Sequence, residues 1–162
     1  MNNTTKRWIF DSVVWSVSLL FAFGLLMDNA MADSKGFSAT NKTWQAECAS
    51  CHIAYPPNLL SAPAWRRLMA GLDKHFGTDA SIDARSAAEI GAFLENNAGQ
   101  GKRGSDSGTL RISETPWFKR KHDEVSASTW KNPKVKTAAN CTACHAGAER
   151  GEFDEHAVRI PR

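Results

Sequence analysis

The sequence lacks three features: a long apolar run, a sustained alternation of polar and apolar residues, and a large excess of one charge. Its most apolar stretch, Val13 to Met27, is interrupted by two serines and a glycine and is shorter than the roughly 20 residues that span a bilayer. Without strand-like alternation, no β-sheet is predicted. The formal net charge is only +3, which gives no case for nucleic-acid binding.

Cysteine is also scarce, and all four cysteines lie in two copies of one pattern, Cys48-Ala49-Ser50-Cys51-His52 and Cys141-Thr142-Ala143-Cys144-His145. C-x-x-C-H is typical of covalent c-type haem attachment. On a helical turn, residues i, i+3 and i+4 share one face, so both thiols of a copy can bond to the haem vinyl groups while the imidazole reaches the iron. We therefore predict two haem c groups, bonded to Cys48 and Cys51 and to Cys141 and Cys144, with His52 and His145 as proximal iron ligands.

A structural zinc site and a pair of disulfides are two other possible uses of the cysteines, and both account for fewer features of the sequence. A structural zinc site normally spaces its two C-x-x-C pairs roughly 15–20 residues apart, whereas 89 residues separate Cys51 from Cys141. Disulfides within C-x-x-C are typical of redox-active pairs rather than of structural bridges. Neither use accounts for a histidine directly after both pairs.

The N-terminus has the pattern of a secretory signal peptide. Lys6 and Arg7 precede the apolar run, and Ala30-Met31-Ala32 supplies a small-residue cleavage site. We predict a signal peptide at 1–32 and export, because c-type haem is attached outside the bacterial cytoplasm. Retention of this segment as an uncleaved anchor is the alternative.

The remaining chain is predicted to be a mostly α, small single-domain multihaem cytochrome c with short helices and long irregular loops. Helical periodicity and capping residues place helices at Thr43 to His52, from Ser61 to near His75, at Asp83 to about Asn96, and at Thr115 to Val125. The dihaem domain, 33–162, divides into haem segment one at about 40–98, a Gly/Ser-rich linker at 99–109, and haem segment two at about 110–162.

Three further histidines are candidates for the distal positions of two irons. His75 lies 23 residues after His52, and His122 lies 23 residues before His145. These two are the predicted distal ligands. Met69 is the main rival at the first iron, and His156 is expected to face solvent. Pairing of the distal ligands crosswise between the haems stays open.

Several motifs in order resemble the dihaem cytochrome c family called DHC. They are Trp44-x-x-x-Cys48-x-x-Cys51-His52-x-x-Tyr55-Pro56-Pro57, His75-Phe76-Gly77, Trp117-Phe118-x-x-x-His122, the second C-x-x-C-H and Gly151-x-Phe153. The resemblance covers the chain from about Trp44 to Pro161. It implies an electron carrier that is exported to the bacterial periplasm and holds two bis-histidine haems, and it supports His75 and His122 as distal ligands. It also implies redox partners such as a small high-spin cytochrome called SHP or a membrane b-type cytochrome.

With two histidines on each iron, no coordination position is open to a substrate, so the expected function is one-electron transfer and not enzymatic catalysis. Two alternatives remain: a peroxidase-like dihaem enzyme, and a haem-based sensor or subunit of a redox complex, each with one open iron. Lys119, Arg120 and Lys121 form a basic run that either docks an acidic redox partner or is a solvated helix face.

Overall fold

Short helices and single turns of 3-10 helix make up the regular structure of the described residues. The computed structural model describes residues 37–104 and 106–162, so the predicted signal peptide, 1–32, lies outside them. The α-helices are α1 (Lys42–Cys48), α2 (Ala62–Met69), α3 (Ala84–Asn96), α4 (Pro116–Lys121) and α5 (Ala127–Trp130). The 3-10 turns are Pro57–Leu59, Leu72–Lys74, Ile112–Glu114, Cys141–Ala143, Ala148–Arg150 and Glu155–Ala157.

This architecture confirms the mostly α class. Within the described residues, β-pairing is limited to one isolated bridge between His75 and Thr78. None of the helices in these same ranges is long and apolar enough to cross a membrane.

Each α-helix begins at a polar side chain that accepts a hydrogen bond from a backbone N–H of the first turn. Such a cap stabilises a helix by about 1 kcal/mol. The caps at Ser61, Asp83 and Thr115 confirm the predicted starts of α2, α3 and α4. Asn97 ends α3, also as predicted.

Three helices end earlier than the sequence pattern predicts. α2 stops at Met69 instead of continuing to near His75, and the separate 3-10 turn Leu72–Lys74 follows after Gly71, a poor helix former. α1 stops at Cys48 instead of continuing to His52, and the Ser50 hydroxyl donates to the carbonyl of Glu47 at 2.9 Å. Such local side-chain bonds compete with helical pairing. α4 stops at Lys121 instead of Val125, because the imidazole of His122 takes the Phe118 carbonyl that a continuing helix would use for backbone pairing.

The main hydrophobic core lies in haem segment one, where α1, α2 and α3 meet. Its buried residues are Trp44, Leu60, Ala64, Trp65, Ile90 and Leu94. The indole of Trp65 donates to the Pro57 carbonyl at 2.6 Å, so the Tyr55-Pro56-Pro57 segment after the first C-x-x-C-H copy is tied to this core. Met69, the rival candidate for the first iron, packs against the same cluster.

Haem segment two contacts segment one at several points, and the chain from Gly36 onward forms one compact unit. Leu110 and Ile112 pack against the core of segment one. The predicted linker is held at Gly99, whose N–H donates to the Leu60 carbonyl at 2.8 Å, and at Asp106, which forms an ion pair with Arg67 at 2.9 Å.

Gly151 joins the start of the described chain to segment two. Its carbonyl accepts from the N–H of Phe37 at 3.2 Å, and its φ of +73° lies in the left-handed region that glycine adopts most readily. A Cβ at position 151 would lie 3.0 Å from the carbonyl oxygen of Phe37.

We expect Gly151→Ala to lower the free energy of unfolding by about 1–2 kcal/mol, because it adds left-handed strain and crowds Phe37. Gly108→Ala is the matched control, since Gly108 has a φ of +77° with no atom within 4 Å of its Cβ position. Guanidinium unfolding of the haem-loaded protein, followed by haem absorbance, measures both. If Gly151→Ala costs no more than Gly108→Ala, the contact with Phe37 contributes no stability.

Candidate haem-binding sites

The first histidine pair joins the end of the first C-x-x-C-H copy to the turn after α2. The ring centres of His52 and His75 lie 6.1 Å apart, with an angle of 26° between the ring planes. The ring of His52 also stacks on Tyr55, with the centres 4.8 Å apart. His75 follows the turn Leu72–Lys74, and the positive φ values of Phe76 and Gly77 turn the chain back directly after it.

The second pair joins the end of α4 to the second C-x-x-C-H copy. The ring centres of His122 and His145 are also 6.1 Å apart, but their planes meet at 77°. The backbone N–H of His145 donates to the Cys141 carbonyl at 2.8 Å, and the edge of the Phe153 ring lies against its imidazole.

One histidine in each pair has a hydrogen bond that determines which ring nitrogen is free. The Nδ1 of His52 lies 2.7 Å from the Ile53 carbonyl oxygen, and the Nδ1 of His122 lies 2.9 Å from the Phe118 carbonyl oxygen. A carbonyl oxygen can only accept, so Nδ1 carries the proton in both rings. In the neutral ring with this tautomer, Nε2 is the nitrogen that can bind a metal ion.

The separation of the rings within each pair fits one iron ion between them. Two imidazoles that bind a metal from opposite sides, through bonds of about 2 Å, have ring centres about 6 Å apart. Burial, followed by the charge of the facing imidazole, lowers the pKa of His75 and of His145. A lowered pKa favours the neutral ring, which is the form that binds metal.

The cysteines fit uncharged thioether bonds better than thiolate chemistry. Burial raises the pKa of the Cys48 and Cys141 thiols to about 11, whereas a zinc ligand or a redox-active dithiol requires a lowered pKa. All four cysteines are free of disulfides. In the part of the chain that the structure describes, no three His, Cys, Asp or Glu side chains cluster as a zinc site would require.

The structure thus brings each predicted distal histidine to the C-x-x-C-H copy nearest to it in sequence. His156 is exposed in the turn Glu155–Ala157. Three tryptophans have distinct surroundings, and Trp65 lies in the core of segment one. The ring centre of Trp130 lies 6.0 Å from that of His122, and Trp117 is covered by the Arg103 guanidinium at 4.6 Å.

The sequence did not indicate that Tyr55 contacts the second C-x-x-C-H region. Its hydroxyl donates to the Ala139 carbonyl at 2.7 Å, 84 positions along the chain and two residues before Cys141. Burial raises the pKa of Tyr55 to about 12, so the phenol remains a donor. Tyr55 therefore contacts both C-x-x-C-H regions. It is the only tyrosine in the chain, which singles it out but does not reveal its distant partner.

Comparison with known proteins gives one family and three solved structures. The model of the dihaem cytochrome c family, DHC, matches residues 44–153. The chain is 49% identical to a DHC purified from Rhodobacter sphaeroides, covering 71% of this chain and 98% of that chain with a TM-score of 0.63. A diheme cytochrome c from the same organism is 48% identical, with coverages of 72% and 99% and a TM-score of 0.65.

The third structure is a diheme cytochrome type c from Shewanella baltica OS155. It is 43% identical over 75% of this chain and 93% of that chain, with a TM-score of 0.66. No curated protein sequence matches the chain significantly.

We expect Tyr55→Phe to lower the free energy of unfolding by about 1 kcal/mol, because it removes one neutral hydrogen bond between the two segments. The phenylalanine keeps the ring that stacks on His52, so Tyr55→Leu, which removes the hydroxyl and the ring together, should cost more. Guanidinium unfolding of the haem-loaded variants gives both values. An unchanged free energy in Tyr55→Phe would show that the bond to Ala139 does not stabilise the fold.

Proposed function

The chain belongs to the dihaem cytochrome c family, and from this premise we propose that it carries single electrons between redox proteins. Members of this family hold two covalently bound haem c groups. In this chain, Cys48 and Cys51 would hold the first and Cys141 and Cys144 the second. The axial ligands would be His52 with His75 and His122 with His145.

The observation that carries the proposal is the equal separation of the two histidine pairs. At 6.1 Å between ring centres, each pair has the spacing that fills both axial positions of one iron. No position is then left for a substrate, and one-electron exchange is the chemistry that a bound haem supplies. Bis-histidine ligation also favours a lower reduction potential than a Met/His pair does.

The chain itself restricts the orientation of the histidine rings that would bind the iron. Backbone carbonyls accept from Nδ1 of His52 and of His122, and such bonds orient a ligand ring and raise its basicity. Rings held in this way need little rearrangement when the charge on the metal changes. Tyr55 holds the two C-x-x-C-H regions against each other, which supports transfer of an electron within one chain.

The proposed location is the periplasm. The support comes from the N-terminal pattern at 1–32 and from the need to attach c-type haem outside the bacterial cytoplasm. The proposed partners are a membrane b-type cytochrome and a soluble SHP-type high-spin cytochrome. The exposed basic run Lys119, Arg120 and Lys121 in the last turn of α4 leads directly to His122, so an acidic partner docked there would lie beside the second histidine pair.

Absorption spectra of the haem-loaded protein test the carrier function. The wild type should be low-spin when oxidised and when reduced, with no change on addition of carbon monoxide. His122→Ala should convert half of the haem to a high-spin form that binds carbon monoxide, whereas the control His156→Ala should not. A carbon monoxide shift in the wild type would mean an open iron and would favour an enzyme or a sensor.

Charge variants test the docking surface on α4. In the double variant Lys119→Gln and Arg120→Gln, electron transfer to an SHP-type cytochrome should slow roughly 3- to 10-fold at low ionic strength, and the difference should disappear at high salt. Lys42→Gln with Arg85→Gln removes the same charge from segment one and serves as the control. Stopped-flow kinetics measures both, and equal slowing would show that α4 is not the docking surface.

A further inference from the structure

The two histidine pairs share one separation but differ in the orientation of their rings. His52 and His75 are near parallel at 26°, whereas His122 and His145 are near perpendicular at 77°. An axial imidazole can turn about its bond to the metal without changing its distance from it. The angle between the two ring planes of a pair is therefore set by the residues that contact each ring.

A single residue, Phe118, constrains the ring of His122 in two ways. Its aromatic ring stacks on the imidazole, with centres 3.9 Å apart and planes 17° apart. Its carbonyl oxygen also accepts from Nδ1 of His122 at 2.9 Å. Both contacts arise because His122 directly follows the last turn of α4, four residues after Phe118.

Phe118 is itself held firmly. Its side chain is only 8% exposed, its N–H donates to the capping hydroxyl of Thr115 at 3.1 Å, and Trp130 lies beside it with ring centres 6.2 Å apart. A buried and capped residue can impose its orientation on the histidine that stacks on it.

Among the described residues, no ring stacks in this way on the distal histidine of the first pair. The aromatic neighbour of His75 is Phe76, whose ring is tilted by 59° and lies 4.7 Å away. Phe76 is also 44% exposed. The flat contact in this pair lies on the proximal side instead, between Tyr55 and His52 at 30°.

We propose that Phe118 is the positioning residue that holds His122 nearly perpendicular to His145 and makes the second haem electronically distinct from the first. This inference rests on the proposed ligation by both histidine pairs. In low-spin ferric iron, near-perpendicular ligand planes leave two of the occupied d orbitals close in energy. Near-parallel planes separate these orbitals.

Electron paramagnetic resonance of the oxidised, haem-loaded protein distinguishes the two arrangements. We expect two signals of equal intensity, one rhombic and one strongly anisotropic with a single dominant feature at high g. Phe118→Met fills most of the same space with an adaptable side chain but removes the flat contact. It should shift the high-g feature towards lower g and leave the rhombic signal unchanged.

Two controls separate positioning from general disturbance. Phe118→Tyr keeps the stacked ring and should retain the high-g feature. Phe153→Met removes an aromatic side chain that meets His145 edge-on at 5.4 Å, so it alters the same site without removing a stacked ring and should also retain the feature.

Two rhombic signals in the wild type would overturn the proposal before any variant is made. A high-g feature that survives in Phe118→Met would also overturn it. A high-spin ferric signal in the wild type would be a different failure. It would mean that one iron lacks its second histidine, and it would overturn the ligation on which the proposed function also depends.

Discussion

Two facing imidazoles whose ring centres lie 6.1 Å apart occur twice in the described structure. A metal ion bound by both rings of a pair would account for that spacing. The surrounding elements serve to hold the rings in place. The turn after α2 places His75, the end of α4 places His122, and the two C-x-x-C-H copies place His52 and His145.

The two segments depend on this constraint to different degrees. Segment one has a side-chain core of its own, with Ile90 and Leu94 almost fully buried between α2 and α3. The buried apolar residues described in segment two, Phe118, Val135 and Ala148, are not part of that core and lie among short turns. Small domains with little core need covalent or metal-based support, and the proposed thioether bonds and iron ligands would supply both kinds.

The contacts between the segments also bear on electron transfer. Tyr55 connects the first C-x-x-C-H region to the backbone before Cys141, and Gly151 connects segment two to Phe37. The ring angles show that similar spacing does not make the two sites alike. Phe118 stacks on His122 from the last turn of α4, and in our proposal this local element of segment two makes the two sites electronically different.

The sequence by itself determined the haem-attachment pattern, the mostly helical class and the family. It also determined the helix caps at Ser61, Asp83 and Thr115. The attachment pattern and the caps depend on residues a few positions apart, and the family depends on several such short motifs in order along the chain. Only the tertiary structure decided that α1 ends before His52, that Tyr55 reaches Ala139, and that the two ring pairs meet at 26° and 77°. The physical reason is that these features depend on how distant segments pack and which backbone carbonyl each side chain reaches, and neither is encoded in local spacing.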